Sequence, residues 1–140
     1  MSSVLLQKKT LPFLSNNKYH ILLVDDDVMI RRLFGGKLAM EGYNVMYASN
    51  GDEGRELARR FSPDLILMDI NMPGFEDGYA VAARLKSEEK TKNIPIVFLT
   101  NMDLSYEGER MLKEGIQVNG YIHKSLGFDQ FLEKIKTILK

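Results

Sequence analysis

Short apolar runs alternate with helical patterns along the chain from residue 19 onward. Runs of this length, bounded by polar residues, are typical of strands that are buried on both faces. The pattern therefore predicts five strands, at Ile21–Val24, Val45–Ala48, Leu65–Met68, Ile94–Leu99 and Tyr121–His123.

The segments between these runs carry apolar residues at helical spacing, with charged residues off the apolar face. The first such face holds Ile30, Leu33, Phe34 and Leu38, and a weaker pattern around Leu104 predicts the fourth of five helices. Strands that alternate with helices imply right-handed crossovers. We therefore predict an α/β fold with a doubly wound parallel sheet.

The composition narrows the functional classes. The chain has 140 residues, and its 19 basic and 19 acidic residues leave no net charge. Without a basic surplus there is no electrostatic case for nucleic acid or an anionic membrane as a partner. No cysteine occurs, which excludes disulfides and thiolate metal sites and fits a cytoplasmic protein.

The first eighteen residues stand apart from the alternating pattern. Lys8 and Lys9 follow the apolar Val4–Leu6 instead of preceding a long apolar region, so the segment lacks the order of a secretory leader. No apolar stretch has the length of a membrane span. We expect residues 1–18 to form a flexible N-terminal tail and residues 19–140 to form a single domain.

Polar residues stand at the ends of four of the predicted strands. Asp25 and Asp26 follow the first strand, Asp69 the third, Thr100 the fourth and Lys124 the fifth. The carboxyl ends of parallel strands meet at one edge of the sheet, where α/β folds bind their ligands. The sequence therefore predicts a site that combines three carboxylates, a hydroxyl and an ammonium group.

This combination favours phosphoryl chemistry with a divalent cation. Carboxylates supply the hard oxygen ligands that Mg²⁺ prefers, whereas Asp27 is better placed as the cap of the first helix. A carboxylate can also act as a nucleophile toward phosphorus and form an aspartyl phosphate. Mg²⁺, the Lys124 ammonium and the Thr100 hydroxyl would share the charge of the phosphoryl oxygens.

The sequence around these residues resembles the receiver domain of two-component response regulators. The resemblance extends from about Tyr19 to the C-terminus and implies a flavodoxin-like (βα)5 fold with the strand order 2-1-3-4-5. The stretches that carry it are Ile21–Asp27 (ILLVDDD), Asp64–Gly74 (DLILMDINMPG), Ile94–Thr100 (IPIVFLT) and Gly120–Lys124 (GYIHK).

The resemblance also implies a role for each residue of the site. Asp69 would be the phosphoacceptor, and Lys124 and Thr100 would bind the phosphoryl group. Thr100 and Tyr121 would form a switch, although Tyr121 is equally well explained as a packed aromatic residue on a strand. Asp26 and Asp69 would bind Mg²⁺ or Mn²⁺ directly, Asn71 would bind it through its backbone carbonyl, and Asp25 would assist through a bound water.

The partners follow from the same resemblance. A histidine kinase or a phosphotransfer protein would donate the phosphoryl group. A downstream protein partner would recognise the face formed by the fourth helix, the fifth strand and the fifth helix, through which a homodimer is also an option. No separate substrate turnover is expected, so the protein would not be an enzyme in the ordinary sense.

One departure from the family pattern lies beside the site. The family usually has a proline after the lysine, often with a cis peptide bond, whereas this chain has Ser125. A cis bond before a non-proline residue costs about 2.5–4 kcal/mol, so we predict a trans bond here. We assign no function to the neighbouring His123, since a lone histidine is not a metal site.

Two other functions share parts of this pattern. An Mg²⁺-dependent aspartyl-phosphate phosphatase or phosphotransferase would act on small molecules, but such enzymes usually place the nucleophile after the first strand and need a substrate cap. A flavin-binding module would need a phosphate loop rich in Ser, Thr and Gly. The chain has no such loop and no G-x-x-x-x-G-K-[ST] or G-x-G-x-x-G pattern.

Overall fold

The computed structural model describes residues 19–72, 74, 76–101 and 118–140. The predicted tail and the predicted fourth helix lie outside these ranges. Within them, no helix is both long enough and apolar enough to cross a membrane. In chain order the elements are β1 (His20–Val24), α1 (Val28–Met40), β2 (Asn44–Ala48), α2 (Gly51–Phe61), β3 (Leu65–Asp69), α3 (Gly78–Ser87), β4 (Ile96–Thr100), β5 (Gly120–His123) and α4 (Phe128–Ile138).

The five strands form one parallel sheet in the order β2-β1-β3-β4-β5. This arrangement confirms the predicted fold, and each predicted strand is found with its ends shifted by at most two residues. The largest shift is at β4, which begins at Ile96. Pro95 has no N–H to donate, and the Ile94 N–H donates to the Thr91 carbonyl of the preceding turn at 3.0 Å.

The three central strands, β1, β3 and β4, are buried on both faces, which explains why they are apolar at nearly every position. Successive side chains of a strand point to opposite faces, and they contribute to two separate core clusters. Leu22 and Phe98 lie in the cluster covered by α2 and α3. Ile21 and Val97 lie in the cluster covered by α1 and α4.

Polar side chains cap the starts of α1, α2 and α3. The Asp27 carboxylate accepts the Met29 N–H at 2.8 Å, which confirms its predicted role as the cap of α1. Asn50 and Asp77 cap α2 and α3 in the same way. These caps fix where each helix leaves the edge of the sheet that carries the predicted site.

The predicted apolar face of α1 is wrong at one position. Phe34 and Leu38 are buried as expected, but Leu33 is 48% exposed. Adjacent residues of a helix are rotated by about 100°, so a helix that turns Phe34 into the core points Leu33 toward solvent. The helix therefore has apolar side chains on its outer surface as well as on its inner one.

Gly78, the first residue of α3, packs directly against the end of β3. Its N–H donates to the Ile70 carbonyl at 2.7 Å. A Cβ atom added at this position would overlap the Asp69 carbonyl oxygen and lie 2.8 Å from the Ile70 Cα. The absence of a side chain thus allows α3 to start close to Asp69.

We expect Gly78→Ala to lower the free energy of unfolding by about 1–3 kcal/mol, because the added methyl group overlaps backbone that cannot move aside cheaply. Gly36→Ala in α1 is the matched control, since an added Cβ there has nothing within 4 Å. Its helix propensity should raise stability by about 0.5–1 kcal/mol. Urea unfolding measures both effects, and equal stabilities of the two variants would contradict the clash.

Candidate functional site

The register of the sheet brings the predicted site residues together. Asp69 is the last residue of β3 and Thr100 the last of β4, while Asp25 and Lys124 directly follow β1 and β5. Because the strands are parallel and paired, these four ends lie at the same edge. Asp25, Asp69 and Thr100 are almost fully buried, with exposed fractions of 0%, 4% and 1%.

Lys124 is the electrostatic centre of this group. Its Nζ lies 2.9 Å from Asp25 Oδ2 and 3.1 Å from Asp69 Oδ1, and its side chain is only 10% exposed. Its backbone N–H donates to the Thr100 carbonyl at 2.8 Å. Removing one member of such a cluster would leave buried charge uncompensated, so the three charged side chains behave as one unit.

Asp25 is held in place from three directions. Its backbone N–H donates to the Ala48 carbonyl at 3.0 Å, and its Oδ1 accepts the Asp27 N–H at 2.9 Å. Its carbonyl oxygen accepts a hydrogen bond from the Arg31 guanidinium at 2.7 Å. The Arg31 contact was not predicted from the sequence, because an arginine off the apolar face of a helix is ordinarily a solvated charge.

Asp25, Asp26 and Asp69 form a cluster that fits a divalent cation. Each offers one carboxylate oxygen, and these oxygens lie within 4.8 Å of one another. When all are ionised, the three carboxylates exceed the single charge of Lys124 by two, which a divalent cation would balance. Asn71, the other predicted ligand, is exposed and lies two residues beyond Asp69.

The electrostatic cost of this cluster appears in the pKa of Asp69. Burial, followed by the charge of Asp25, raises the pKa of Asp69 to about 6, although Lys124 acts in the opposite direction. For Lys124, burial lowers the pKa, but the hydrogen bonds and charges of Asp25 and Asp69 outweigh burial and raise it. The ammonium form of Lys124 is therefore favoured, while ionisation of Asp69 is opposed by its surroundings.

Thr100 and Tyr121, the predicted switch pair, lie on neighbouring strands. Thr100 is buried at the end of β4, and Tyr121 is half-buried in β5 and packs against the core. The centroid of its ring lies 6.0 Å from that of Phe98. This contact agrees with a packing role for Tyr121, and its switching role stays a prediction.

His123 contacts both loops beside the site, which was not predicted from the sequence. Its Nε2 lies 3.1 Å from the Asn101 carbonyl oxygen. Its Nδ1 accepts the Ser125 backbone N–H at 3.1 Å and lies 2.7 Å from Ser125 Oγ. No peptide bond in the described ranges is cis, so the bond before Ser125 is trans, as predicted. A proline at position 125 would have no N–H to donate to His123. The serine in place of the family's usual proline was therefore the sequence feature that could have indicated this contact.

Comparison with known protein families agrees with this geometry. The model of the response regulator receiver domain matches residues 21–136, which is most of the chain. The chain belongs to this family. The resemblance stated from the sequence is thereby confirmed, and the protein is a receiver domain of two-component, phosphorylation-based signalling.

Two curated relatives illustrate the family. The polar-differentiation response regulator DivK of Brucella anthropi is 33% identical over 119 residues, which cover 85% of this chain and 94% of DivK. The DNA-binding dual master transcriptional regulator RpaA of Synechocystis is 32% identical over 120 residues, or 86% of this chain. The match spans only about half of RpaA, 48% of its length, so the activity of RpaA as a whole is not transferred to this protein.

Solved structures show the same architecture. A CheY-like receiver domain protein from Methanospirillum hungatei is 28% identical and superposes with a TM-score of 0.75, covering 88% of this chain and 94% of its own. A chemotaxis protein of Vibrio cholerae superposes with a TM-score of 0.79 at 24% identity, covering 88% of this chain and 100% of its own. At that identity the second likeness establishes the fold alone.

We expect the stability gain of Asp69→Asn over the wild type, measured in EDTA, to grow as the pH rises from about 4 to about 6. The native pKa of Asp69 is about 6, above its unfolded value of about 3.9. The unfolded chain therefore loses this proton first, and the wild type loses stability over this interval. Asparagine does not titrate, so the gain should grow by at most about 3 kcal/mol between acidic and neutral pH.

Urea unfolding of the two proteins across this pH range measures the gain directly. Both proteins share every other titrating group, so the difference between them reports the charge at position 69 together with its coupling to Asp25 and Lys124. A difference that does not change with pH would contradict the raised pKa.

Proposed function

We propose that the protein is a phosphoacceptor switch in which Asp69 accepts a phosphoryl group from a phosphohistidine donor. The observation that carries the proposal is the position of the Asp69 carboxylate, buried at the end of β3 and 3.1 Å from the Lys124 ammonium. Asp25 contacts the same ammonium at 2.9 Å. A buried acid with a raised pKa beside another acid and one cation is typical of a reacting group, and membership of the receiver domain family supports this role.

The ion in this proposal is Mg²⁺ or Mn²⁺. Asp26 and Asp69 would hold it with their carboxylates and Asn71 with its backbone carbonyl, and Asp25 would assist through a bound water. The hard oxygen donors and the surplus of two negative charges support this choice. When bound, the ion neutralises negative charge on the phosphoryl oxygens during transfer.

The side chains of the protein perform the remaining steps. In the proposed reaction the ionised Asp69 carboxylate attacks phosphorus. The bond between phosphorus and the donor nitrogen breaks, and that nitrogen leaves with the electron pair. The Lys124 ammonium and the Thr100 hydroxyl donate hydrogen bonds to the phosphoryl oxygens. The burial of Asp69 and Thr100 keeps bulk water away from the new bond.

The donor would dock on the outer surface of α1. Three apolar side chains there, Val28, Met29 and Leu33, have exposed fractions of 47%, 53% and 48%. Exposed apolar groups that cluster beside a reacting centre are typical of protein interaction sites. Val28 and Met29 come directly after the aspartate run, and Leu33 lies about one turn further along α1. This position supports the docking of a histidine kinase or phosphotransfer protein at this end of the sheet.

A downstream protein would detect the phosphorylated state. In the proposal, Thr100 moves toward the phosphoryl group and the ring of Tyr121 follows. This movement shifts the populations of two surface conformations around β5 and α4, which is the helix counted as the fifth in the sequence. Association with a second copy of the chain through the same face would be one form of this output.

A small-molecule phosphatase, the alternative left open by the sequence, has less support. Enzymes of that kind use an acid two residues after the nucleophile, and this chain has Asn71 there, which cannot act as a general acid. The family match favours a signalling switch over a catalyst with separate substrate turnover.

Incubation with acetyl phosphate and Mg²⁺ should add one phosphoryl group per chain, as measured by intact mass spectrometry. Asp69→Asn should abolish the adduct, because it removes the nucleophile. Asp64→Asn is the matched control, since the Asp64 carboxylate accepts the His20 N–H at the start of β1, away from the site. An adduct that persists in Asp69→Asn or forms without a divalent ion would contradict the proposal, and turnover of phosphomonoesters would favour the phosphatase.

Asp26→Asn should weaken Mg²⁺ binding at least about tenfold, which corresponds to about 1.4 kcal/mol, because it removes one charged ligand. Asp27→Asn is the control: the residue is adjacent and also exposed, and asparagine preserves the helix cap. Isothermal titration calorimetry gives both affinities. Equal affinities in the two variants would show that Asp26 is not a ligand.

A further inference from the structure

Hydrogen bonds of His123 connect the two loops that follow Thr100 and Lys124. On one side its Nε2 lies 3.1 Å from the carbonyl oxygen of Asn101, the residue after Thr100. On the other side its Nδ1 contacts both the backbone N–H and the hydroxyl of Ser125, the residue after Lys124. We call this set of contacts the His123 bridge.

The donors and acceptors of the bridge assign the state of the imidazole. A backbone N–H can only donate, so the Ser125 N–H requires an unprotonated Nδ1. In the neutral ring the proton then lies on Nε2, where it can be donated to the Asn101 carbonyl. Both ring nitrogens are therefore satisfied by the tautomer that joins the two loops.

The bridge lies where the sheet itself no longer holds the loops together. The last paired residues of β4 and β5 are Thr100 and His123. Beyond this pair, the Lys124 N–H donates to the Thr100 carbonyl at 2.8 Å, and the bridge adds a link at Asn101, the residue after the end of β4. Thr100 ends β4 and Lys124 directly follows β5, so this backbone hydrogen bond and the imidazole both link the segments that carry the two groups proposed to bind phosphoryl oxygens.

We propose that His123 is a positioning residue for phosphoryl transfer. Through the bridge it holds the Thr100 hydroxyl and the Lys124 ammonium at the separation that one phosphoryl group requires. This inference rests on the proposed function of Asp69. The proposed role of His123 is to align two donors, the Thr100 hydroxyl and the Lys124 ammonium. It does not involve the carboxylates that would bind the ion, which distinguishes it from a general structural role.

Substitutions at His123 separate the two halves of the bridge. The amide of His123→Asn reaches the position of Nδ1, so it can accept from Ser125 but cannot reach the Asn101 carbonyl. The amide of His123→Gln reaches the position of Nε2, so it can donate to Asn101 but cannot accept from Ser125. Ser125→Ala keeps the backbone N–H donor and is the matched control for loss of the hydroxyl alone.

The measurement is the initial rate of Asp69 phosphorylation by acetyl phosphate at saturating Mg²⁺. We expect His123→Asn to lower this rate about fivefold or more, because small misplacements of reacting groups have large effects on rate. His123→Gln should retain more of the rate than His123→Asn, and Ser125→Ala should stay close to the wild type. Mg²⁺ affinity, measured by calorimetry, should be the same in all four proteins.

A second readout does not depend on phosphorylation. ¹⁵N NMR of the wild-type protein should show that the neutral His123 ring carries its proton on Nε2. A proton on Nδ1 would overturn the inference. So would a rate in His123→Asn equal to that of the wild type, or a rate that falls only in proportion to a loss of Mg²⁺ affinity.

The failure of this inference can be distinguished from the failure of the proposed function. If the wild-type protein forms no phosphoryl adduct at all, both are overturned. If the wild type is phosphorylated on Asp69 and all three variants react at the rate of the wild type, only the role of His123 is overturned.

Discussion

The parallel register of β1, β3, β4 and β5 is the constraint on which both the core and the site depend. A parallel sheet that is buried on both faces ends its strands at a common edge. A slip of one residue in β5 would send Tyr121 and Ile122 to the wrong faces and separate the Lys124 ammonium from both carboxylates. Packing holds this register: the rings of Tyr79 and Phe98, for example, lie 5.0 Å apart. Stability and function therefore rest on the same packing.

The buried charges at the carboxyl edge of the sheet do not favour the stability of the fold. A buried ammonium between two carboxylates gains little over apolar packing, because desolvation offsets the Coulomb attraction. The pKa of Asp69, raised to about 6, shows that its ionised form is not fully compensated by Lys124. A divalent cation or a phosphoryl group with its own ligands would redistribute this charge. The cluster is better explained as a site prepared for such a ligand than as a structural ion pair.

Beyond the last paired residues of the strands, side chains and close backbone contacts take over the positioning of the site. Arg31 binds the Asp25 carbonyl, and His123 joins the loops that follow β4 and β5. Gly78 lets the start of α3 approach the end of β3. None of these three residues carries the chemistry itself. Each fixes the backbone of a segment beside the candidate site.

The sequence by itself determined the strands, because buried parallel strands are short and apolar, and it predicted the acidic, hydroxyl and ammonium groups of the candidate site, because Asp25, Asp26, Asp69, Thr100 and Lys124 stand at strand ends. The strand order followed from family resemblance and not from the pattern. Only the tertiary structure decided that Leu33 faces solvent, that burial raises the pKa of Asp69, and that Arg31 and His123 support the site. These features depend on side-chain directions and on contacts between distant segments, which are set when helices pack on the sheet and which no local pattern encodes.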